Sequence, residues 1–527
     1  MRLHDACFAL TALVAIGSSG CERQPVWDQP IVGAQILGMD HGIAIVDPGA
    51  ERALLLSPED DLSLSQDSFA ITTGFATAKV TPDGSRLLVL SHGTVPRERA
   101  DDPAPTLQTF TTGGGARASH SYRLSDPLSG LKVDPLSRFA VVHASGDAAF
   151  LQNPNELSIV DLTREQSDDN PVHLTLRSFG GTPQAFTFTE DLLLPGGKRR
   201  LLVVQTDRDI ALVDLDAPDL PEITIPLSSD TNKMVPGGVA VSDGALERDD
   251  DARIAVRLQD DSSVIIINLE PVLESDKDDT PQSFRAVPNF VFTDGIPSDI
   301  AFVQTDGGLR LAALLGTRLT LVNPVTGIAS AVDLGAQEFS QMTIVTDVVG
   351  QTSDGSDVAM LWSPGKAHIA FIAFGSTVGQ PYKAIEKLKL DTAVSSVAPV
   401  GGDNPHLRIL RSSTGGAVHV LDLLTRTAAP LHASSSGAGL TTSADGGRAW
   451  LHQGGSLAKL DLTTLHPQNF QLQRPISRVF DVTRPSGGDA LITLHESGLI
   501  GATVLDAQQP ALSTARHYAG LLLGELP

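Results

Sequence analysis

The chain has 527 residues, and its 62 acidic side chains against 38 basic ones give a formal net charge of −24. This charge argues against nucleic acid as a partner, because phosphates attract lysine and arginine, and against adsorption on anionic lipid. With 41% hydrophobic residues, a chain of this length can bury a large core without disulfide bonds.

The N-terminal segment predicts export. Met1–Ala6 is short and charged, residues 7–16 are almost entirely apolar, and small residues follow up to Cys21. This order is typical of a secretory signal, here residues 1–20, and the apolar run is too short to cross a bilayer as a helix. Ser18-Ser19-Gly20-Cys21 resembles the lipobox of bacterial lipoproteins, although leucine is usual where Ser18 stands.

The lipobox resemblance implies that Cys21 is lipidated and becomes the first residue after cleavage. Cys7 would leave with the signal, so lipidation also accounts for the one cysteine left in an exported chain. The alternative is ordinary secretion with cleavage near Cys21. Residues 21–30 are rich in proline and polar side chains and are expected to form a tether of at most about 30 Å. The tether would hold the rest of the protein near a bacterial membrane, on the periplasmic or the cell-surface side.

From residue 31 onward the sequence repeats. An apolar run that ends in Asp or Asn and is followed by turn residues recurs at Asp47, Asp161, Asp214, Asn268, Asn323, Asp422, Asp461 and Asp506. The gaps are 114, 53, 54, 55, 99, 39 and 45 residues, and two of them are about twice the others. About ten units of roughly fifty residues are therefore expected, a period typical of solenoids and propellers. A residue that recurs in most units indicates turn capping rather than catalysis.

A second motif alternates with the first. Its clearest copy is Val80-Thr-Pro-Asp-Gly-Ser-Arg-Leu-Leu-Val-Leu, in which a strand ends, a Pro-Asp-Gly turn follows and a new apolar strand begins. Proline presets φ in such a turn and glycine accepts a positive φ. One unit therefore reads as a meander of four antiparallel strands, the blade of a β-propeller.

These motifs resemble YVTN-type, lactonase-like propeller repeats. The resemblance rests on the Val80 motif and on Leu157-Ser-Ile-Val-Asp-Leu-Thr-Arg, extends over residues 31–527, and departs at His92-Gly93, where the family often has Thr-Asn. It implies a fold but no single activity, because unrelated functions share this blade motif.

The expected fold is all-β: a β-propeller of about 8–10 four-stranded blades over residues 31–527, in one ring, with two smaller rings as the alternative. The first unit, Ile31–Ser57, shows only three strands in the sequence. The apolar tail Leu521–Leu523 is therefore expected to supply a fourth strand and close the ring, so that no sheet edge stays open.

Motifs that carry chemistry are scarce. The sequence contains no Gly-x-Ser-x-Gly, no His-Glu-x-x-His, no P-loop and no Rossmann fingerprint, so no catalytic residue, metal ligand or cofactor is assigned. Some histidines near apolar strands could face a central channel and there bind a metal or activate water, but neutral, hydrogen-bonded histidine is the default interpretation. These are His92, His143, His419, His452 and His495.

Acidic residues cluster between the apolar runs, where solvated loop carboxylates are the favoured interpretation. The alternative is Ca²⁺ binding by Asp354–Asp357 or within residues 242–251, although neither has the spacing of a complete Ca²⁺ loop. Three longer interruptions, Thr94–Ala118, Ser242–Arg253 and Glu270–Phe284, are expected to rise above one face of the ring as contact sites.

The sequence therefore favours a membrane-anchored bacterial lipoprotein. Its exported propeller is expected to serve as a protein-binding or scaffold module of the cell envelope, with an envelope protein or a peptide as partner. The alternative is a lactonase-like or other hydrolytic enzyme with a polar site in the channel.

Overall fold

The computed structural model describes residues 34–111, 118–145, 151, 153–177, 181–194, 197–228, 234–242, 252–277, 282–345, 357–377, 380–402, 404–412, 417–431, 439–495, 500–510 and 513–521. The signal, the tether and Cys21 lie outside these residues, as do the candidate Ca²⁺ ligands Asp249–Asp251 and Asp354.

Within the described residues the chain forms ten antiparallel meanders of four strands, called sheets 1 to 10 in chain order. Sheet 1 contains β1 (Gln35–Met39), β2 (Gly42–Asp47), β3 (Arg52–Pro58) and β4 (Leu64–Ala70). Sheet 2 contains β5 (Phe75–Val80), β6 (Arg86–Ser91), β7 (Thr106–Thr111) and β8 (Ala118–Arg123). Sheet 3 contains β9 (Gly130–Val133), β10 (Phe139–His143), β11 (Glu156–Asp161) and β12 (Val172–Thr175). Sheet 4 contains β13 (Pro183–Phe188), β16 (Leu201–Thr206), β17 (Asp209–Asp214) and β18 (Ile223–Pro226), with the hairpin β14 (Leu192–Leu194) and β15 (Gly197–Arg199) inserted after β13.

Sheet 5 contains β19 (Pro236–Val241), β20 (Arg253–Leu258), β21 (Ser263–Pro271) and β22 (Phe284–Phe292). Sheet 6 contains β23 (Asp299–Thr305), β24 (Gly308–Leu314), β25 (Arg318–Val322) and β26 (Ala329–Asp333). Sheets 7 and 8 contain β27 (Gln341–Val345), β28 (Val358–Trp362), β29 (Lys366–Thr377), β30 (Gln380–Pro399), β31 (Leu407–Ser412), β32 (Val418–Asp422) and β33 (Thr427–Leu431). They share the 20-residue strand β30, which pairs with β29 and, through its last residues, with β31.

Sheet 9 contains β34 (Gly439–Thr442), β35 (Arg448–Gln453), β36 (Ser456–Asp461) and β37 (Pro467–Gln471). Sheet 10 contains β38 (Ile476–Thr483), β39 (Asp489–His495), β40 (Gly501–Asp506) and β41 (Arg516–Tyr518). Two short 3₁₀ helices occur in the described residues, at Pro48–Ala50 and Glu274–Asp276. The expected architecture of about 8–10 four-stranded blades is confirmed.

The middle strands are apolar at successive positions because both faces of each sheet are covered. In β2, Ile43 and Ile45 pack against sheet 10, whereas Ala44 and Val46 pack against sheet 2. Successive side chains of a strand point to opposite faces. Burial on both faces therefore requires a continuous apolar run rather than an alternating one, as in other sheets covered on both sides.

The packing of sheet on sheet closes on itself. Ten hydrophobic clusters of the described residues each join two consecutive sheets, and one of them joins sheet 10 to sheet 1. At that junction Ile43 packs with Ile492, and the N–H of Thr483 donates to the carbonyl of Asp40 at 2.8 Å. The ten sheets are thus a closed succession of neighbours, as in a β-propeller.

The expectation that the C-terminal tail completes sheet 1 is wrong. Strands β1 to β4 come from one continuous stretch, and the C-terminal strand β41 pairs with β40 in sheet 10. The outer strand β4, Leu-Ser-Gln-Asp-Ser-Phe-Ala, has no apolar run that would reveal it in the sequence. Leu521 is instead fully buried between sheets 10 and 1. Within the described residues this junction is closed by side-chain packing, and Leu522 and Leu523 lie outside those residues.

The first strands lie nearest the centre, because they contact one another in the pairs β1–β5, β5–β9, β19–β23, β23–β27, β34–β38 and β38–β1. The first strand of each sheet begins on the side of the ring that also carries the loops joining second to third strands. We call this side the loop face, and it includes residues 92–105 and 124–129. The opposite side, called the turn face, carries the turns that join first to second strands and third to fourth strands, such as residues 81–85 and 162–171.

The recurring Asp and Asn residues cap turns on the turn face. Asp461 Oδ1 accepts hydrogen bonds from the N–H groups of Thr463 and Thr464, both at 2.9 Å, and Asn323 makes the same pair of bonds. Equivalent bonds are made by Asp161, Asp214, Asp422 and Asp506. The predicted capping role is confirmed for these six residues. It is wrong for Asn268, which lies inside β21 and accepts a hydrogen bond from Arg253 Nε at 2.9 Å. Asp47 differs, because it ends a second strand and so lies on the loop face.

Candidate functional site

A cavity of about 440 Å³ opens on the loop face between sheets 2 and 3. Its walls are the loop after β6 and the connection that leads to β9, and they include His92, Val95, Pro105, Ser125 and Pro127. Ligand cavities are typically concave, mostly apolar and supplied with a few fixed polar groups. This cavity is concave but less apolar, because Arg97, Arg123 and Asp126 share its walls with the prolines.

The loop that forms one wall is held by its own hydrogen bonds. Arg97 donates to the carbonyls of Asp102 at 3.1 Å and Ala100 at 2.6 Å, and Asp102 Oδ2 accepts from the N–H groups of Glu98 and Arg99 at 2.9 and 2.8 Å. These bonds fix the shape of the loop without a bound partner, so the cavity is preformed.

This wall belongs to the interruption Thr94–Ala118 that was expected to be a loop throughout. Residues 94–105 form a loop, but Thr106–Thr111 forms β7, the third strand of sheet 2. In β7 the side chains of Leu107, Thr109 and Phe110 are buried and polar residues separate them. Its short, interrupted apolar pattern hid the strand in the sequence.

His92 lies in the wall of the cavity. Its Nε2 is buried and has no hydrogen-bond partner in the described residues, whereas the ring is hydrogen-bonded to the backbone of Leu128. Burial lowers the pKa of His92 below its usual value, against the smaller opposite effect of that backbone bond. The imidazole is therefore neutral at neutral pH, and its Nε2 is not exposed to the cavity.

Ser125 lies on the cavity wall beside a second histidine. Its Oγ is 3.2 Å from His173 Nδ1 and also donates to the carboxylate of Glu156. Glu156 Oε1 and Ser158 Oγ lie 3.9 and 2.9 Å from the same nitrogen. A catalytic triad needs the nucleophile and the acid on opposite ring nitrogens. Here both face one nitrogen, so the group is a polar wall and not a triad.

The other candidate histidines do not converge. His143, His452 and His495 end or nearly end the second strands of sheets 3, 9 and 10, and His419 lies in the third strand of sheet 8. Burial lowers the pKa of the first three.

The bonds of these histidines are local. His143 Nδ1 is 2.6 Å from the carbonyl of Ala144, and His495 Nδ1 is 2.9 Å from the carbonyl of Pro475. Within the part of the chain that the structure describes, no three His, Cys, Asp or Glu side chains are grouped so that they could hold a metal ion.

A smaller cavity of about 250 Å³ lies on the turn face between sheets 3 and 4. Its polar groups already bond to one another: Arg138 pairs with Asp216 at 3.1 Å, and the Asn170 side chain bonds to the backbone N–H and carbonyl of Asp161. The loop-face cavity is therefore the better candidate for a ligand.

Two predicted acidic pairs bond within their own turns. Asp61 accepts from Ser63, and Asp261 accepts from Ser263. The hydrogen bonds from these serines lower the pKa of both carboxyls. The interpretation of these clusters as loop carboxylates agrees with this geometry.

No family model matches the chain, and no curated protein does. Among solved structures, the chain is similar to the dihydro-heme d1 dehydrogenase NirN in complex with DHE, at 14% identity and a TM-score of 0.39, over 90% of this chain and 85% of that one. It is also similar to the Dos1 propeller, at 12% identity and a TM-score of 0.38, over 69% of this chain and 89% of that one. A eukaryotic initiation factor matches at 10% identity and a TM-score of 0.43, over 92% of this chain and 96% of that one.

These low identities limit the likeness to the fold, and nothing about ligand, partner or reaction follows from them. Within the described residues there is no helix of the length and apolar character needed to span a membrane. The chain is a β-propeller, and its function has to be argued from its own surface.

Proposed function

We propose that this protein is an exported bacterial lipoprotein, anchored through Cys21, whose YVTN-type propeller binds an envelope protein or peptide at its loop face. The observation that carries the proposal is the preformed cavity of about 440 Å³ between sheets 2 and 3. Its prolines offer an apolar surface, and Arg123 and Asp126 offer charged groups on the same walls. That combination suits an inserted side chain or a short peptide segment.

The position of the cavity also supports recognition of a partner. It lies at the rim of the loop face, where the braced loop 94–105 projects beside it. Binding at a rigid loop costs less conformational entropy than binding that must first order a mobile loop. Scaffold propellers need such a fixed surface and no catalytic group.

A hydrolytic function is the second candidate, and one observation favours it. Ser125 opens on the same cavity and lies within hydrogen-bond reach of His173 and Glu156. If Ser125 were a nucleophile, Ser125→Ala would abolish hydrolysis of lactone or ester substrates by the native protein. The shared ring nitrogen makes binding the better supported function.

The cavity is tested with a filling variant and a matched control. Ser125→Trp fills the cavity, whereas Ser119→Trp places the same ring on the exposed outer strand β8 of sheet 2. Gentle crosslinking in intact cells should capture the same partner with the native protein and with Ser119→Trp, and lose it with Ser125→Trp. Equal capture by both variants would remove the cavity from the proposal.

The anchor is tested separately. Native protein expressed with labelled palmitate should carry the label and partition into detergent, because each buried CH₂ of an acyl chain contributes about 0.8 kcal/mol. Cys21→Ser should lose both properties. A native protein that is exported but carries no label would show ordinary secretion.

A further inference from the structure

The outer strand of sheet 5, β22, is the longest outer strand in the described residues that has no further strand beside it. It has nine residues, whereas the other fourth strands that end a sheet have three to seven. Natural sheets usually keep such edges short or charged, because their unpaired backbone groups can pair with a strand of another chain. The edge of sheet 5 is therefore open to strand addition.

The pairing of β22 shows which of its backbone groups point outward. The N–H of Thr293 donates to the carbonyl of Ser262 at 2.9 Å, and the same register continues through β22 without a bulge. Because residues of an antiparallel pair alternate between bonding inward and outward, Phe290 and Phe292 turn their N–H and C=O groups away from β21. Pro288 lies at an outward position of the same series, where its missing N–H costs no bond within the sheet.

Apolar side chains are exposed at the same end of β22. Phe290, Phe292 and Ile296 are 48%, 72% and 54% exposed, and they are three of the seven large hydrophobic residues that are exposed in the described part of the chain. Val291, between the two phenylalanines, is buried in the cluster that joins sheets 5 and 6, so both phenyl rings lie on the other face of β22. Grouped exposed apolar residues typically mark an interaction site, whereas single ones do not.

The polar surroundings of these side chains are acidic. Asp260 and Asp261 lie in the turn before β21, and the first residue of β21 pairs with Phe292. Asp294 follows two residues after Phe292 and lies 3.9 Å from Arg318, which is also exposed. Three carboxylates thus stand against one guanidinium, so a segment that carries lysine or arginine is complementary in charge.

We propose that the edge of β22 binds an extended segment of a partner protein, in which apolar residues alternate and lysine or arginine flanks them, as a fifth strand of sheet 5. Backbone bonds to Phe290 and Phe292 hold the segment, and its alternate side chains cover the two rings. A second copy of this chain fits poorly, because it would place the same carboxylates against one another in a chain of net charge −24. The site on sheet 5 does not depend on the cavity between sheets 2 and 3.

The first test selects peptides from a displayed random heptapeptide library on the native protein, after depletion on Phe292→Asn. The selected peptides should combine alternating apolar residues with lysine or arginine, and a synthetic copy should bind Phe292→Asn at least tenfold more weakly, because the cover of a phenyl ring is lost. Ile328→Asn is the matched control, since Ile328 is also 72% exposed but lies in a turn of sheet 6.

Ile328→Asn should bind the synthetic peptide like the native protein, and so should Ser125→Trp, which fills only the loop-face cavity. The proposal is overturned if no peptide is enriched, if the enriched peptides lack lysine and arginine, or if either of these two variants loses the peptide as Phe292→Asn does.

The second test asks whether the selected peptide binds native protein as a strand. N-methylation of alternate peptide residues should abolish binding in one series and preserve it in the other, because only every second residue bonds to the neighbouring strand. Amide hydrogen exchange at Phe290 and Phe292 should slow at least tenfold on saturation with the peptide, whereas Val291, which bonds toward β21, should not change. Tolerance of methylation in both series, or unchanged exchange at the two phenylalanines, would refute strand addition.

Discussion

The buried ion pair between Asp134 and Arg200 joins sheets 3 and 4 at the turn face. Arg200 Nη1 lies 2.9 Å from Asp134 Oδ2, and the two side chains are only 6% and 1% exposed. Arg200 Nη2 also contacts Asp191 at 2.6 Å, but the Asp191 side chain is 52% exposed. Among the residues that the structure describes, Asp134 is therefore the only buried carboxylate that pairs with this guanidinium.

Asp134→Ala should destabilise the protein by about 3 kcal/mol. Removing one partner of a buried pair costs about 3–5 kcal/mol because the other charge stays desolvated, and the remaining contact to Asp191 places this case at the lower end. Urea unfolding followed by far-UV circular dichroism measures the change. Glu270→Ala is the control, because its pair with Arg285 has side chains 42% and 38% exposed and is worth at most about 1 kcal/mol.

A double variant separates charge burial from packing. Asp134→Leu with Arg200→Met removes both charges and should recover most of the stability lost in Asp134→Ala, since apolar replacements of buried pairs are often neutral or stabilising. Asp134 Oδ1 and Arg200 Nε have no hydrogen-bond partner, which favours the replacement further. If Asp134→Ala loses no more than Glu270→Ala, the argument from burial is wrong.

Three further changes test the rest of the fold. Burial lowers the pKa of His92, His143 and His495, so just below the ordinary histidine value of about 6.5 the unfolded chain binds more protons than the folded one. The free energy of unfolding in urea should therefore decrease as the pH is lowered from about 7 to about 5.5, by up to about 1.4 kcal/mol per pH unit for each histidine. A flat profile would contradict the burial. Asp461→Ala should lose about 1 kcal/mol in urea unfolding through its two turn bonds, whereas Asp461→Asn should be nearly neutral, and equal losses would refute the capping role. Leu521→Ala should cost about 2–5 kcal/mol and lower the melting temperature in calorimetry, unless the junction of sheets 10 and 1 does not depend on this side chain.

The repeat could be recognised in the sequence because the residues that form each turn lie close together in the chain. The motif at Val80 specifies the end of β5, the turn at residues 81–85 and the start of β6, and all three form where expected. Thr81 Oγ1 and the carbonyl of Arg86 hold this turn through short-range bonds. Strands β4 and β7 were not recognised in the sequence because polar residues interrupt their apolar runs.

The candidate site was only partly foreseen. The sequence pointed to His92 and to the interruption that begins at Thr94, because a histidine after a strand and a long irregular segment are both visible in one dimension. The opposite wall, with Ser125 and Pro127, comes from the connection to the next sheet. Its approach to His92 depends on how two sheets pack.

By itself the sequence determined the all-β character, the number of units and the capping of their turns, because these depend on residues close together in the chain. Only the tertiary structure decided how the ring closes, which face each loop occupies and which side chains share a cavity. Those features depend on contacts between distant residues, such as Leu521 with Ile43 across the junction. Period and polarity along the chain carry no record of such contacts.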